Sequence, residues 1–144
     1  MVKSRVKRYI MNNMDIETLR HSTSHVMAMA VKELFPMAKL GIGPAIEDGF
    51  YYDFELPKTL TPDDLLKIEE KMLEIIKKDI PFEKLEMKKD KASQELEKMN
   101  ETLKIELLNE IPDEPVTFYK NDKFIDLCRG PHISSTGQIK LLNY

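Results

Sequence analysis

The sequence predicts an α+β fold: a single domain in which a long histidine-bearing helix and further helices pack on a mainly antiparallel β-sheet. Three observations carry this. Apolar residues recur at helical spacing over 15–35 and again over 63–79. Runs rich in aromatic and β-branched residues, bounded by turn residues, occur at 38–56, 82–87, 116–120 and 124–128. A length of 144 residues suits one domain with a real core, and 42% hydrophobic with 33% charged residues is ordinary for a globular protein.

Residues 1–14 read as a basic flexible arm (Lys3, Arg5, Lys7, Arg8) ahead of a domain at 15–144. The arm lacks the apolar core of a secretory signal. In the first helix, Asp15 is the N-cap candidate and Pro36 the stop. Its methionines, Met27 and Met29, read as adaptable core packing. Residues 38–56 form a hairpin turning at Glu47-Asp48-Gly49. Gly41 and Gly43 alternate with apolar residues there, which marks either close approach of a backbone or ligand, or a bulge. The run Phe50-Tyr51-Tyr52-Asp53-Phe54 is mainly core, with one tyrosine hydroxyl available to a pocket.

Thr61-Pro62-Asp63-Asp64 starts a second helix: an N-cap, proline at the first position, acids in the first turn. Its stripe includes Leu65, Leu66, Ile68, Met72 and Ile75, it runs to about Asp79, and Pro81 ends it. A short strand at 82–87 follows. Residues 91–110 read as two short helices broken near Asn100, their heavy charge a solvated face. Val116–Lys120 and Phe124–Cys128 are strands joined by Asn121-Asp122. Cys128 then sits at a strand end, with Asp126 on the same side of the sheet. Residues from Gly137 to Tyr144 are a candidate final strand.

The chemistry concentrates in two places. All three histidines and the single cysteine fall in His21-x-x-x-His25 and Cys128-x-x-x-His132. On a helix, His21 and His25 share a face. Two imidazoles so placed can hold a metal ion or a polarised water. Gly130-Pro131 bars a regular helix in the second half. Three nitrogens and one sulfur suit tetrahedral zinc, making His21, His25, Cys128 and His132 the candidate metal ligands. Any one of these residues alone is usually a satisfied core or surface side chain; the matched spacing is what points to a site.

Other classes are excluded or bounded. A net charge of −3 argues against a protein that coats nucleic acid indiscriminately. It leaves room for a local basic rim from Lys88, Lys89, Lys91, Lys120, Lys123 and Arg129. No apolar run approaches the ~20 residues of a membrane span. One cysteine cannot form an internal disulfide, which fits a reducing cytoplasm.

Three runs then become recognisable: Arg20-His21-Ser22-Thr23-Ser24-His25, Ile42-Gly43-Pro44-Ala45-Ile46-Glu47-Asp48-Gly49-Phe50-Tyr51-Tyr52-Asp53, and Asp126-Leu127-Cys128-Arg129-Gly130-Pro131-His132. In order and spacing they resemble the editing domain of bacterial-type threonyl-tRNA synthetase. That domain type is shared with alanyl-tRNA synthetase and free-standing trans-editing proteins. The resemblance covers about residues 15–141. It implies hydrolysis of a mischarged tRNA, seryl-tRNA for threonine, with the serine-bearing acceptor end as partner and no role for DNA or membrane. It implies that His21, His25, Cys128 and His132 line the pocket at the ester, and that Lys104 contacts the ester or places the water. Tyr119 and Asp126 match residues that recognise the amino acid and terminal adenosine; Tyr52 and Arg129 complete the substrate-binding set. The threonyl type is expected to work by positioned water with no required cofactor, zinc remaining an option. Alternatives are a zinc-dependent alanyl-type deacylase of seryl-tRNA for alanine, or a non-catalytic tRNA-binding module. No aminoacylation core fits into 144 residues, so the expectation is a free-standing editing protein or an excised piece of a synthetase.

Overall fold

The computed structural model describes residues 16–139 apart from 43–44, 47–48 and 51. The basic arm, the Asp15 cap, the Glu47-Asp48 turn, Gly43 and the chain after Ile139 lie outside the described residues.

Helix α1 spans Ile16–Leu34. The amide of Phe35 still reaches the Val31 carbonyl, and Pro36, with no amide to donate, ends the helix. The expected one-sided stripe is broader than predicted: every residue from Ser22 to Val26 is buried. A polar turn can be enclosed only if its hydroxyls find partners. Thr23 Oγ1 donates to the Leu19 carbonyl at 2.7 Å and Ser24 Oγ to that of His21 at 2.8 Å.

The predicted hairpin is a ladder of short strands: β1 (Lys39–Leu40), β2 (Ala45–Ile46), β3 (Gly49–Phe50) and β4 (Phe54–Glu55). β1 pairs antiparallel with β4, and β2 with β3. Gly41 N–H donates to the Asp53 carbonyl and Asp53 N–H to that of Ile42, both at 2.8 Å. A Cβ on Gly41 would stand 2.9 Å from the Asp53 carbonyl oxygen. The glycine therefore serves close approach of the partner strand.

Helix α2 (Pro62–Lys78) starts on a full capping box between Thr61 and Asp64. It ends one residue before Asp79, which turns left-handed at φ 52°, so Pro81 lies beyond the stop rather than making it. Ile68, Met72 and Ile75 are buried, whereas Leu65 and Leu66 are 55% and 59% exposed, outside the packed stripe.

Strand β5 (Glu83–Met87), helices α3 (Lys89–Lys98) and α4 (Thr102–Glu110), and strands β6 (Val116–Asn121) and β7 (Phe124–Leu127) follow. Asn100, left-handed at φ 57°, makes the expected break between α3 and α4. The sheet order is β5-β6-β7, antiparallel throughout. Two expectations are corrected here. Asn121 is not a turn residue: it pairs with Phe124 and is fully buried, and Asp122-Lys123 makes the turn with Asp122 at φ 56°. Gly137 lies in a 3₁₀ turn, Thr136–Gln138, not a strand.

The 91–110 segment is less solvated than its charge suggests. Glu101 and Lys104 are only 2% and 4% exposed. Glu101 pairs with Lys32 of α1 at 2.7 Å and accepts from the Leu40 amide at 2.9 Å. This ties the start of α4 to α1 and β1. One apolar cluster lies between α1 and α2 (Leu19, Val26, Ile68, Ile75), a second between α3, α4 and the sheet (Leu96, Leu108, Phe118, Leu127). Among the described residues no helix is long and apolar enough to cross a membrane.

Candidate active site

The two histidine-bearing segments meet between α1 and the end of β7. Cys128 lies one residue past β7, and its amide continues the ladder to the Thr117 carbonyl at 3.0 Å. Gly130 then bends the chain back at φ 74°; a Cβ there would run into the Tyr119 ring. The bend brings His132 against α1. Its ring stacks on His21 at 4.4 Å between centroids and packs on His25 at 4.8 Å and Tyr119 at 4.6 Å. Cys128 Sγ lies 3.3 Å from His21 Nε2 and 3.3 Å from His132 Nε2.

The three histidines do not have equivalent surroundings. His21 Nδ1 lies 3.3 Å from the Pro131 carbonyl. A carbonyl can only accept, so the ring proton sits on Nδ1 and Nε2 keeps its lone pair, aimed at Cys128. His25 is 2% exposed, boxed in by Phe82 and Phe124, and its Nε2 donates to Asn121 Oδ1 at 2.6 Å. Asn121 in turn donates from Nδ2 to the Pro81 carbonyl at 3.1 Å, which fixes the orientation of the amide. His132 Nδ1 lies 2.9 Å from Ser22 Oγ. The i,i+4 spacing placed His21 and His25 on one face, but their ring nitrogens serve different partners.

Burial sets the protonation. It lowers the pKa of His21 below the ordinary imidazole value, with the Pro131 carbonyl and Asp126 pulling the other way. It takes His25 down to about 4 and His132 to about 2, the latter helped by its neighbouring imidazoles. The Cys128 thiol is pushed up to about 11, again chiefly by burial. At neutral pH the cluster is three neutral rings and a thiol.

A charged pair lies alongside. Lys104 Nζ, from the first turn of α4, donates to the Leu127 carbonyl at 3.0 Å and lies 3.1 Å from Asp126 Oδ1. That contact is close in charge but off the direction of a hydrogen bond, so Oδ1 has no hydrogen-bond partner. The other oxygen, Oδ2, accepts from Tyr52 Oη at 2.6 Å. Burial, then the Asp126 carboxylate, hold the Tyr52 phenol protonated well above its usual range. Lys104 also stands over the Tyr52 ring, 5.6 Å from its centroid.

A cleft of about 650 Å³ opens against this cluster. His21, Lys104, Cys128 and Arg129 reach it, with Ile42 and the α4–β6 loop as further walls. His25, His132, Asp126, Tyr52 and Tyr119 stand behind that wall. Sequence reasoning missed Ser22 and Asn121. Ser22 lay inside the histidine motif, but nothing marked it as facing His132.

Part of the donor set suits zinc. Among the described residues His21, Cys128 and His132 bring one ligand atom each within 4.8 Å of one another. The two nitrogen–sulfur separations of 3.3 Å are close to the roughly 3.5 Å edge that ordinary zinc bond lengths give a tetrahedron. These three fit, with a fourth position left over. His25, committed to Asn121, is not in the group.

Residues 116–143 match the family model described as the second additional domain of threonyl and alanyl tRNA synthetases. Threonine–tRNA ligase from Dehalococcoides mccartyi is 53% identical over 126 residues, 88% of this chain and 21% of the relative. The ligases of Hahella chejuensis and Acetivibrio thermocellus are 51% and 50% identical over 87% and 86% of the chain. The chain spans about a fifth of the length of these relatives.

Proposed function

The chain belongs with the second additional, editing-type domains of threonyl and alanyl tRNA synthetases, and from that premise we propose that it hydrolyses mischarged tRNA, with seryl-tRNA for threonine as substrate. The observation that carries this is the meeting of His21, Cys128 and Lys104 on one wall of a 650 Å³ cleft. An esterase needs a positioned water, a base and a positive group for the developing oxyanion. His21 Nε2 offers the base: a lone pair on a neutral ring, facing Cys128 at the cleft wall. Lys104 supplies the positive charge, held in place by Asp126 and the Leu127 carbonyl. The cleft has room for an aminoacyl-adenosine end rather than serine alone, with Arg129 beside it.

Threonine differs from serine by one methyl. A pocket sized for serine rejects it by clash, the fine sieve of a two-step selection. Cys128 bounds that pocket in this proposal; Tyr119 and Asp126 back its wall, and Tyr52 sets the Asp126 carboxylate that holds Lys104. His25 takes the role of a buried support for His132.

The three-donor cluster favours one second reading, a zinc-assisted deacylase of the alanyl type. His21, Cys128 and His132 would hold the ion, which would supply a water of lowered pKa. The test is direct. The chain is incubated with seryl- and threonyl-tRNA of the threonine isoacceptor, and with seryl-tRNA of the alanine isoacceptor, with and without chelator. Release of serine from the first alone, unaffected by chelator, is expected. Loss on chelation would transfer the assignment to the zinc reading. No release from any would leave a tRNA-binding module.

A further inference from the structure

Ser22 is fully buried and has two partners through its hydroxyl. Its oxygen accepts from the Ile133 amide at 3.0 Å and lies 2.9 Å from His132 Nδ1. The amide can only donate, so of the two partners only the His132 nitrogen can take the hydroxyl proton. His132 then carries its own proton on Nε2, directed at Cys128 Sγ.

The other end of the chain agrees with this direction but does not fix it alone, since the Cys128 thiol lies 3.3 Å from a nitrogen of either ring. The Pro131 carbonyl holds the His21 proton on Nδ1, so His21 Nε2 can only receive, and Cys128 S–H can give to it. Were His132 the opposite tautomer, two bare ring nitrogens would face a single thiol proton. One buried acceptor would go unmatched, at a cost that native interiors avoid. In the order Ser22, His132, Cys128, His21, Pro131, every donor has an acceptor. Sγ also accepts from the Gly130 amide at 3.4 Å.

We propose that Ser22 is a positioning residue: it fixes His132 as the Nε2–H tautomer, so that one directed hydrogen-bond chain ends with His21 Nε2 as the accepting ring nitrogen of the cluster. His132 Nε2, carrying a proton, cannot act as the base. His21 can. That division of roles rests on the deacylase reading; the tautomers do not.

Long-range proton–nitrogen correlation spectra of the ¹⁵N-labelled chain at neutral pH test this. The three histidines give three patterns, assigned by substituting them one at a time. The expected wild-type spectrum shows His132 protonated at Nε2 and His21 at Nδ1. In Ser22→Ala, His132 shifts toward the Nδ1–H form, and kcat for deacylation falls about tenfold with KM little changed. A merely structural serine would lower the unfolding midpoint and leave the tautomer alone. Wild-type His132 protonated at Nδ1, or a tautomer unmoved in Ser22→Ala, overturns the proposal. If Ser22→Ala does not fold, the wild-type spectrum still decides. Expected tautomers in a chain that hydrolyses no aminoacyl-tRNA would remove the deacylase reading and leave the tautomer assignment standing.

Discussion

His21 and Lys104 carry most of the proposed chemistry, yet their substitutions should behave differently. His21 is half-buried at the cleft wall. His21→Ala should cut deacylation at least tenfold and leave the circular dichroism spectrum unchanged. Lys104 is buried against a buried carboxylate, both 5% exposed or less. Lys104→Ala should cost the same in rate and also strand Asp126. Breaking a buried pair from one side costs about 3–5 kcal/mol; a urea midpoint equal to wild type would contradict the pairing. Asn121→Leu removes the acceptor for His25 and the donor to Pro81. A loss of about 1–3 kcal/mol is expected from unsatisfied buried groups, read by denaturant unfolding.

The helix caps and the bend after β7 make separable predictions at the level of elements. Thr61 closes the capping box of α2, away from the cleft. Thr61→Ala should destabilise by about 1 kcal/mol and leave the editing rate within twofold. Gly130→Ala combines a left-handed backbone with a collision against Tyr119. Because Tyr119 packs on His132, the rate should fall along with the thermal midpoint. If Thr61→Ala loses as much activity as Gly130→Ala, the bend has no special link to the site.

Acid is the weak side of the whole molecule. His25 has a folded pKa of about 4 against 6.5 when free. Between those values the unfolded chain binds the proton and the folded chain does not. The stabilisation is therefore fully present above pH 6.5 and is lost as pH falls toward 4. The depressed value corresponds to about 3 kcal/mol, and His132 acts in the same direction. The urea midpoint should drop clearly from pH 7.5 to pH 4.5; a flat profile would mean the rings accept protons while folded.

The α+β class, the hairpin, the N-cap at Thr61 and the break at Asn100 were legible in sequence because each is signalled by neighbours within a few positions. The pairing of His21-x-x-x-His25 with Cys128-x-x-x-His132 was legible from composition, since nothing else in the chain competes for that chemistry. Periodicity states which face a side chain occupies, not what comes to meet it. So His25 was grouped with His21, although packing turns its Nε2 to Asn121. Asn121 looked like a turn residue because asparagine favours turns, until the ladder to Phe124 drew it inside. Glu101 looked solvated because charge alone suggests water, and only the resemblance lifted Lys104 out of the same charged face; their partners lie 69 and 22 positions away, at Lys32 and Asp126. Local sequence determined the elements and the inventory of reactive groups. Only the tertiary structure decided which donor meets which acceptor, because that depends on contacts between segments that no short-range pattern encodes.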